Sequence, residues 1–248
     1  MDPFRIAALL APFLGDVARA PSPAALSDAQ LSQLSTYLDL LLRWNARINL
    51  TAIRGPEQIV SRHFGESLFA ARSLYPEGWQ LATGDRLLDF GSGAGFPGLP
   101  IKIWAPALRL TLIESTYRKT IFLREVIRAL ALTGAGVFPG RAEEFDFNAA
   151  DHSGAGNLGG SEGERRAGDV ASAITITLRA VERFDRVLPA AARLLAAAPA
   201  RSRRLALLVG GPQVARARQL LPGIAWSDPL PIPQSSRRVL FIGSVTDR

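Results

Sequence analysis

The sequence predicts an α/β protein with a mostly parallel, doubly wound sheet and a helical cap at its N-terminus. Two patterns carry this prediction. Up to about residue 80 the apolar residues recur at helical spacing, and from residue 86 onward short apolar runs alternate with helical stretches. Strands that alternate with helices form parallel sheets, because each crossover helix returns the chain to the same edge of the sheet.

The first 80 residues are predicted to form helices that pack on this sheet. Ser27 or Asp28 is placed to cap a helix that carries leucines at positions 31, 34, 38, 41 and 42. A second helix is predicted from about Pro56 to Ser73, with its proline at the opening. We expect residues 1–80 to form a helical segment that packs on residues 81–248, so that the chain is one compact unit.

The remaining residues are predicted to contain five parallel strands and four crossover helices. The strands are expected at Arg86–Phe90, Leu108–Ile113, near Val137, Ala173–Leu178 and Leu205–Val209. The helices are expected at Gly98–Trp104, Tyr117–Leu132, Val181–Ala197 and Gln213–Leu221. Val239–Ile242 is predicted to return as an antiparallel edge strand. Residues 148–168, rich in Gly, Ser and charge, are predicted to form a flexible surface insertion.

The composition narrows the possible chemistry. Of 248 residues none is Cys and two are His, which excludes a disulfide scaffold, a thiolate nucleophile and an ordinary structural zinc site. The net charge of +7 favours polyanionic partners. The apolar stretch Phe4–Leu14 lacks the cationic start of a secretory signal, and no stretch reaches the roughly 20 apolar residues that span a membrane. We therefore expect a cytoplasmic protein.

The most informative motif is a glycine turn that joins a predicted strand to a predicted helix. Its glycines are Gly91, Gly93 and Gly95, and residues without a Cβ let a ligand approach the backbone closely. Phe96 stands where the third glycine of a dinucleotide-binding Gly-x-Gly-x-x-Gly motif would be, which disfavours a dinucleotide. Asp89, just before the turn, either holds the ammonium of an amino-acid-like ligand or supports the turn.

Acidic residues after the next two strands complete the predicted site. Glu114 ends the second predicted strand, 19 positions after Gly95, where a carboxylate lies beside the turn and can accept both hydroxyls of a ribose. The loop after the third strand places the backbone of Ala142 and the side chain of Glu143 near the base of such a ligand. These residues indicate a nucleoside-type ligand at the carboxyl edge of the sheet.

Around these residues the sequence resembles the bacterial 16S ribosomal RNA guanine-N(7) methyltransferases, the family also named glucose-inhibited division protein B. The resemblance covers about the middle two-thirds of the chain, with the motifs in the family's order. These motifs are Trp44-Asn45 with Ile48-Asn49-Leu50-Thr51, Arg62-His63, Glu66-Ser67-Leu68, Asp89 to Ile103, Thr111-Leu112-Ile113-Glu114, Arg118-Lys119 with Phe122-Leu123, Arg141-Ala142-Glu143 and Arg179-Ala180.

The resemblance implies a class I, Rossmann-like methyltransferase that uses S-adenosylmethionine to methylate ring nitrogen 7 of one guanosine in 16S rRNA of the small ribosomal subunit. Guanine nitrogen 7 has a lone pair and no proton to lose, so we expect no catalytic acid or base, no metal, and a monomer that works by positioning. The expected cofactor contacts, some from the turn and some carried over from the family, are Asp89, Gly91, Gly93, Gly95, Phe96, Glu114, Ala142, Glu143 and Arg179.

The rRNA is expected to lie on a basic surface that includes the helix after Glu114. Cationic side chains bind RNA phosphates, although the same pattern is also typical of a solvated helix face. His63 either contacts RNA or bridges the cap and the sheet. The expected phosphate contacts are Arg62, Lys102, Arg118, Lys119, Arg124 and Arg128.

Three features depart from the family pattern. Val209-Gly210-Gly211 stands where the family commonly has Lys-Gly, and Glu66 replaces an Asp. The insertion at 148–168 and the run Ala173–Thr177 replace the usual Asp-containing approach to the strand before Arg179. Two other functions fit the same residues: a non-catalytic rRNA-binding or ribosome-assembly factor, and a nicotinamide-dependent oxidoreductase, which the glycine spacing disfavours.

Overall fold

The structure is a computed structural model that describes residues 1–15, 26–76, 84–147, 171–180 and 183–245. The helices are α1 (Pro3–Leu14), α2 (Asp28–Asn45), α3 (Pro56–Ile59), α4 (Glu66–Leu74), α5 (Gly98–Trp104), α6 (Tyr117–Ala129), α7 (Phe184–Ala197) and α8 (Gly211–Leu220), with a π-helical turn at Val60–Gly65 and a 3-10 turn at Ala142–Glu144. The strands are β1 (Arg86–Phe90), β2 (Arg109–Ile113), β3 (Ala135–Phe138), β4 (Ala171–Arg179), β5 (Ala200–Gly210), β6 (Ala225–Trp226), β7 (Leu230–Pro231) and β8 (Arg238–Val245).

One mixed sheet organises the molecule. Five strands pair in parallel in the order β3-β2-β1-β4-β5. This order confirms the predicted doubly wound, mostly parallel sheet and its five strands. It also places a topological switch point at β1, whose neighbours β2 and β4 continue in opposite directions across the sheet. The insertion predicted at 148–168 and the helix start predicted at Val181 lie outside the described residues.

The last strand differs from its prediction in one respect. It runs antiparallel to β5, as predicted, but it does not lie at the edge of the sheet. Strands β6 and β7 pair antiparallel with β8, and β6 follows it in the strand order. Each of these strands has two residues, which is too short for an alternating apolar pattern to reveal them in the sequence.

Helix α2 begins where the sequence predicts and joins the cap to the sheet layer. Ser27 and Gln30 form a capping box, in which each side chain bonds the backbone N–H of the other residue. The Gln30 amide also donates to the carbonyl of Ile103 in α5, at 2.7 Å. Farther along α2, the buried hydroxyl of Tyr37 donates to the carbonyl of Ala94 in the glycine turn. The cap therefore contacts the turn directly.

The second predicted helix of the cap is not continuous. The segment from Pro56 to Leu74 is helical, but the π-helical turn at Val60–Gly65 separates α3 from α4. A π-helical turn contains an extra residue, which rotates the following residues about the helix axis relative to a regular α-helix. Gly65 lies against Phe13 of α1, so closely that a Cβ at this glycine would be 2.5 Å from the ring. His63 and Glu66 of this segment contact Arg179 at the carboxyl end of β4.

The two faces of the sheet are covered differently. On one face Leu87, Leu110 and Leu112 pack in the same core as α1, α2, α4, α5 and α6. On the other face the strands contribute a core of aliphatic and aromatic residues that α7 covers. On the cap face, β1 and β4 contribute buried polar side chains, since Asp89 lies beside Thr177. No helix within the described ranges is long and apolar enough to cross a membrane.

Candidate functional site

The glycine turn leaves β1 at the topological switch point and is held by backbone hydrogen bonds. The N–H groups of Gly91 and Ser92 donate to the carbonyl of Ile113 in β2, at 2.9 and 3.1 Å. Gly91 and Gly93 have φ of 68° and 57°, and a Cβ at Gly91 would meet no atom of the described residues within 4 Å. Both glycines therefore leave open space beside the backbone, into which a ligand can move.

Gly95 needs to be glycine for a different reason. Its φ is 91°, and a Cβ there would lie 2.7 Å from the Tyr37 hydroxyl oxygen. Its N–H donates to the carbonyl of Ser92 inside the turn. Gly95 thus packs against the cap. Its contact with the cofactor remains a prediction, which neither this packing nor the hydrogen bond of its N–H supports.

Asp89 supports the turn and does not face open space. Its carboxylate is buried, and it accepts hydrogen bonds from the Thr177 hydroxyl at 2.8 Å and from the Gly98 N–H at 3.2 Å. Burial raises the pKa of Asp89 to about 6, although these hydrogen bonds oppose the rise. Of the two sequence-based hypotheses for Asp89, these hydrogen bonds favour the supporting role, and its contact with the cofactor remains a prediction.

Glu114 lies beside the open part of the turn. It follows the last residue of β2, and its carboxylate accepts from the Gly93 N–H at 2.9 Å and from the Thr116 N–H at 2.7 Å. These bonds fix the carboxylate at the carboxyl edge of the sheet, where the sequence places it. Each oxygen keeps a second lone pair, so the side chain can still accept hydrogen bonds from a ligand hydroxyl.

Ala142 and Glu143 lie in the 3-10 turn that follows β3. The carboxylate of Glu143 pairs with the guanidinium of Arg186 on α7, at 3.0 Å, and both side chains are partly exposed. This ion pair holds Glu143 at the end of the sheet that also carries the glycine turn. Ala142 and Glu143 remain predicted cofactor contacts, with Glu143 exposed enough to exchange partners.

A buried network of charged side chains lies where β4 ends. Glu66, with 1% of its side chain exposed, accepts from Arg179 at 2.9 Å, from Arg238 at 2.7 Å and from Arg62 at 3.2 Å. Arg179 also donates to the carbonyl of Arg62, at 2.7 Å. Burial lowers the pKa of Arg179, and the neighbouring Glu66 opposes this shift. Arg179 borders the glycine turn, since its guanidinium carbon lies 5.8 Å from the centre of the Phe96 ring.

His63 bridges the cap and the sheet, which was one of its two sequence-based hypotheses. Its Nε2 lies 2.7 Å from the Thr51 hydroxyl, and its Nδ1 lies 2.9 Å from the Arg179 guanidinium. Because a guanidinium only donates, Nδ1 accepts and the ring proton resides on Nε2. Burial and the nearby Arg179 lower the pKa of His63 to about 3, so the ring is neutral. It stacks on Phe96, with ring centres 4.8 Å apart.

Comparison with known proteins identifies the family. Residues 30–155, half of the chain, match the family described as rRNA small subunit methyltransferase G. The chain belongs to this family. The matched range contains the glycine turn, Glu114 and Glu143.

Individual members of the methyltransferase G family are similar over the same region. Ribosomal RNA small subunit methyltransferase G of Lachnoclostridium phytofermentans is 45% identical over 119 residues, 48% of this chain and 47% of that protein. Its counterpart from Chloroflexus aggregans is 47% identical over 126 residues, 51% of this chain and 50% of that protein. The chain spans about half the length of the curated relatives it matches.

Solved structures share the fold at low sequence identity. The magnesium protoporphyrin IX methyltransferase of Synechocystis PCC 6803, solved with bound S-adenosylmethionine, has a TM-score of 0.54 at 13% identity, over 91% of this chain and 100% of that one. A variant of MtNAS in complex with S-adenosylmethionine has a TM-score of 0.51 at 14% identity, over 93% and 81%. These similarities confirm the predicted Rossmann-like methyltransferase fold.

The predicted rRNA contacts fall into separate groups in this member of the family. Arg118 and Lys119 line a pocket between the start of α6 and the loop after α2. Arg124 and Arg128 are exposed farther along α6, and Arg62 is about half exposed while it pairs with Glu66. Arg118, Lys119, Arg124, Arg128 and Arg62 remain predicted rRNA contacts.

Lys102 is a wrong prediction as a phosphate contact. Its side chain is 2% exposed, and its ammonium donates to the carbonyls of Pro106 and Leu108. Burial lowers the pKa of Lys102 to about 8. The side chain secures the turn between α5 and β2, and its position in α5 gave no sign of this, because a lone lysine in a short helix is usually exposed.

Three residues that shape the site were not predicted. Tyr37 occupies the apolar stripe of α2, three residues after Leu34, so helical spacing indicates its burial but not its bond to Ala94. Arg238 reaches Glu66 from β8, 172 positions away, and no local pattern indicates that contact. Thr177 could have been found, because alternation of Ile and Thr places Thr175 and Thr177 on one face of a strand.

Proposed function

We propose that this chain is an S-adenosylmethionine-dependent methyltransferase that methylates ring nitrogen 7 of a specific guanosine in 16S rRNA. The observation that carries the proposal is the family match over residues 30–155, which includes the glycine turn and both acids of the candidate site. The two relatives described above, both named ribosomal RNA small subunit methyltransferase G, indicate a ribosomal RNA substrate. Because ribosomal RNA is the substrate, we also propose a cytoplasmic location.

The residues at the switch point fit a nucleoside cofactor. Gly91 and Gly93 leave space beside the backbone, which the carboxylate or sugar of such a cofactor would fill. Glu114 is fixed at the end of the neighbouring strand, where it would accept the ribose hydroxyls. Ala142 and Glu143 would border the adenine, and Phe96 would border the pocket.

The bound cofactor would supply an electrophilic methyl group on a sulfonium. The protein then has to hold the guanine in line with that methyl group and to keep water out, since guanine nitrogen 7 loses no proton in the reaction. Arg179, Phe96 and His63 form a rigid wall beside the turn, joined by hydrogen bonds and ring stacking. No base is needed for this reaction, and the hydrogen bonds that His63 accepts from Arg179 and that Asp89 accepts from Thr177 and Gly98 fit structural roles for both side chains.

The decisive experiment follows methyl transfer to RNA. Purified protein is incubated with radiolabelled S-adenosylmethionine and either small ribosomal subunits or naked 16S rRNA that lacks the modification. We expect label on 16S rRNA, at a single guanosine whose nitrogen 7 is methylated. Binding of rRNA without transfer would instead support a non-catalytic rRNA-binding factor, and calorimetric binding of NADH in place of S-adenosylmethionine would support an oxidoreductase.

Two substitutions locate the cofactor. Gly93→Val fills the open side of the turn at positive φ, and Glu114→Gln removes the proposed ribose acceptor. Calorimetry should find that Gly93→Val abolishes binding of S-adenosylmethionine and that Glu114→Gln weakens it about tenfold or more, in line with loss of a charge-assisted hydrogen bond. Gly223→Ala is the matched control, because a Cβ there meets no described atom within 4 Å. Unchanged binding in both variants would place the cofactor elsewhere.

We also propose that the helical segment 1–80 and residues 81–248 fold as one unit, and that the chain acts as a monomer. The contacts of Tyr37 with Ala94 and of Gln30 with Ile103 support the first part, because they join α2 to the glycine turn and α5. A single unfolding transition, seen alike by circular dichroism and by fluorescence, would be the expected result. Analytical ultracentrifugation would check the monomer.

A further inference from the structure

A pocket of about 340 Å³ opens between the loop that follows α2 and the start of α6. The loop is shaped by Asn45, whose side-chain oxygen accepts from the N–H groups of Leu50 and Thr51, both at 3.0 Å, while its amide donates to the Thr51 carbonyl at 3.1 Å. Asn45 is buried, so these bonds give the loop a fixed conformation. The pocket is therefore a formed feature of the surface.

The lining of this pocket is strongly basic. It contains Arg47, Arg54, Arg118 and Lys119, and none of its described residues is acidic. The side chains of Arg47, Arg118 and Lys119 make no hydrogen bond or ion pair with the described part of the chain. Arg54 donates to two neutral acceptors, the Asn45 carbonyl and the Asn49 side-chain oxygen. Four positive charges without a carboxylate favour a ligand that carries phosphate.

An exposed aromatic residue stands beside the pocket. Tyr117, the first residue of α6, is 73% exposed, and both of its chain neighbours, Thr116 and Arg118, line the pocket. One turn later Ile121 is also exposed on the same side of the helix. An exposed aromatic ring next to cationic side chains is the arrangement with which proteins bind unpaired bases, because the ring stacks on the base while the cations bind the backbone.

The pocket is linked to the proposed cofactor site by two hydrogen bonds. The N–H of Thr116, at the rim of the pocket, donates to Glu114, and the other carboxylate oxygen of Glu114 accepts from the N–H of Gly93. A ligand in the pocket would thus contact Thr116, two positions after the acid that borders the glycine turn. A nucleotide bound here is placed to be a neighbour of the base that reacts.

We propose that this pocket and Tyr117 bind an unpaired nucleotide of the RNA substrate next to the target guanosine. Tyr117 stacks on its base, and Arg47, Arg118 and Lys119 bind the flanking phosphates. This inference rests on the proposed function and specifies its substrate as RNA whose bases near the target are unpaired, since a base in an A-form helix is already stacked and cannot cover the ring. An acidic peptide would use the cations but would leave Tyr117 without a role.

The test uses the full chain and an RNA of about 12 nucleotides, within the range of known single-strand binding sites, with 2-aminopurine at its centre. The same RNA annealed to its complement is the duplex probe. We expect tighter binding of the single strand and quenching of 2-aminopurine fluorescence on binding. Tyr117→Ala should weaken single-strand binding about tenfold and abolish the quenching, whereas Tyr117→Phe should retain both.

Matched variants separate stacking from charge and from general damage. Phe4→Ala removes a comparably exposed aromatic residue on α1 and should change nothing. Arg118→Gln should make binding less sensitive to salt without abolishing the quenching. Unchanged binding and quenching in Tyr117→Ala would overturn the proposal, as would equal competition by a poly-glutamate peptide or equal affinity for the duplex.

Methyl transfer to 16S rRNA, measured on the same variants, distinguishes this proposal from the proposed function. If the parent chain transfers methyl groups and Tyr117→Ala does so with an unchanged KM for RNA, the stacking role fails and the methyltransferase stands. If the parent chain transfers none while RNA binding depends on Tyr117, the methyltransferase fails. The result expected from both proposals together is transfer by the parent chain and a KM for RNA about tenfold higher in Tyr117→Ala.

Discussion

Two groups of arginines in this protein differ in whether a carboxylate of the protein neutralises their charge. At the end of β4, Arg179 and Arg238 converge on one buried carboxylate, Glu66, and Arg62 reaches the same carboxylate from the surface. In the basic pocket beside α6, the cations point at a cavity in which no described residue is acidic. The first group is neutralised by a carboxylate of the protein, whereas the second group is available to bind a ligand.

This difference separates structural from binding roles. A buried charge without a partner is costly, so the buried Arg179 depends on the carboxylate of Glu66. An exposed charge stays hydrated and contributes little to folding, but it adds to the field that attracts phosphate. Substitutions in the first group should therefore change stability, and substitutions in the second should change affinity and its dependence on salt.

The largest effect is expected from Glu66→Gln. The amide keeps the shape of the side chain but removes the counter-charge of the buried Arg179 and of the partly exposed Arg238. Breaking a buried pair by removing one partner costs about 3–5 kcal/mol, so urea denaturation should find a loss of this size. The control is Glu57→Gln, since Glu57 pairs with Arg5 at 2.7 Å on the surface, with both side chains more than half exposed.

The surface pair should contribute less than about 1 kcal/mol to the free energy of unfolding. Equal losses in Glu66→Gln and Glu57→Gln would contradict the distinction between the two groups, because they would show that burial does not decide what an arginine contributes here.

A smaller effect with a defined pH dependence is expected from His63→Gln. The neutral ring accepts a hydrogen bond from Arg179, and its loss should cost about 1–3 kcal/mol at pH 7. The pKa of His63 is lowered to about 3 from 6.5, so between these values the unfolded chain binds a proton that the folded chain does not. His63 therefore stabilises the fold fully above pH 6.5 and progressively less as the pH falls toward 3.

The destabilisation caused by His63→Gln should accordingly shrink as the pH falls below 6.5, by up to about 1.4 kcal/mol per pH unit. Asp89 titrates in the opposite sense, because its pKa is raised to about 6 and its folded form binds the extra proton. Comparison of the variant with the parent at each pH removes that contribution. A difference in unfolding free energy that is constant from pH 7 to pH 4 would contradict a neutral His63.

The smallest effect on stability is expected in the basic pocket. Arg118→Gln combined with Lys119→Gln should change the free energy of unfolding by no more than about 0.5 kcal/mol for each substitution. The plot of log affinity for 16S rRNA against log salt concentration should become shallower by about one for each phosphate that the variant no longer neutralises. Arg193→Gln, at an exposed position of α7 on the opposite face of the sheet, should leave the slope unchanged. An unaltered slope in the double variant would remove the pocket from the RNA-binding surface.

Most of the sheet could be predicted because each strand has its own local signal. β1 and α5 begin and end at the predicted residues, and the other predicted strands lie within the observed ones or differ by one residue at an end. The capping box of α2 is likewise local, since Ser27 and Gln30 are three positions apart. The π-helical turn, β6 and β7 could not be predicted, because their short segments show no period of their own.

The candidate site was predicted where residues are close in sequence to a strand end. The glycine turn and Glu114 follow β1 and β2 directly, and parallel strands bring their carboxyl ends to one edge. Lys102 was misassigned because its burial depends on the loop after α5, and the pairing of Glu66 with Arg238 was missed because 172 positions separate them. Contacts between distant segments produce no periodic pattern in the sequence.

The sequence by itself determined the alternation of strands and helices, the glycine turn and the acids at the strand ends, because these depend on local preferences and on the pleat of a strand. Only the tertiary structure decided which charged side chains form ion pairs inside the molecule and which are exposed at its surface. Glu66 collects arginines from three separate elements, while Arg47 and Arg118 meet at a pocket without a carboxylate. Burial and pairing are properties of the assembled fold, and they turn residues of one type into a structural network in one place and a binding surface in another.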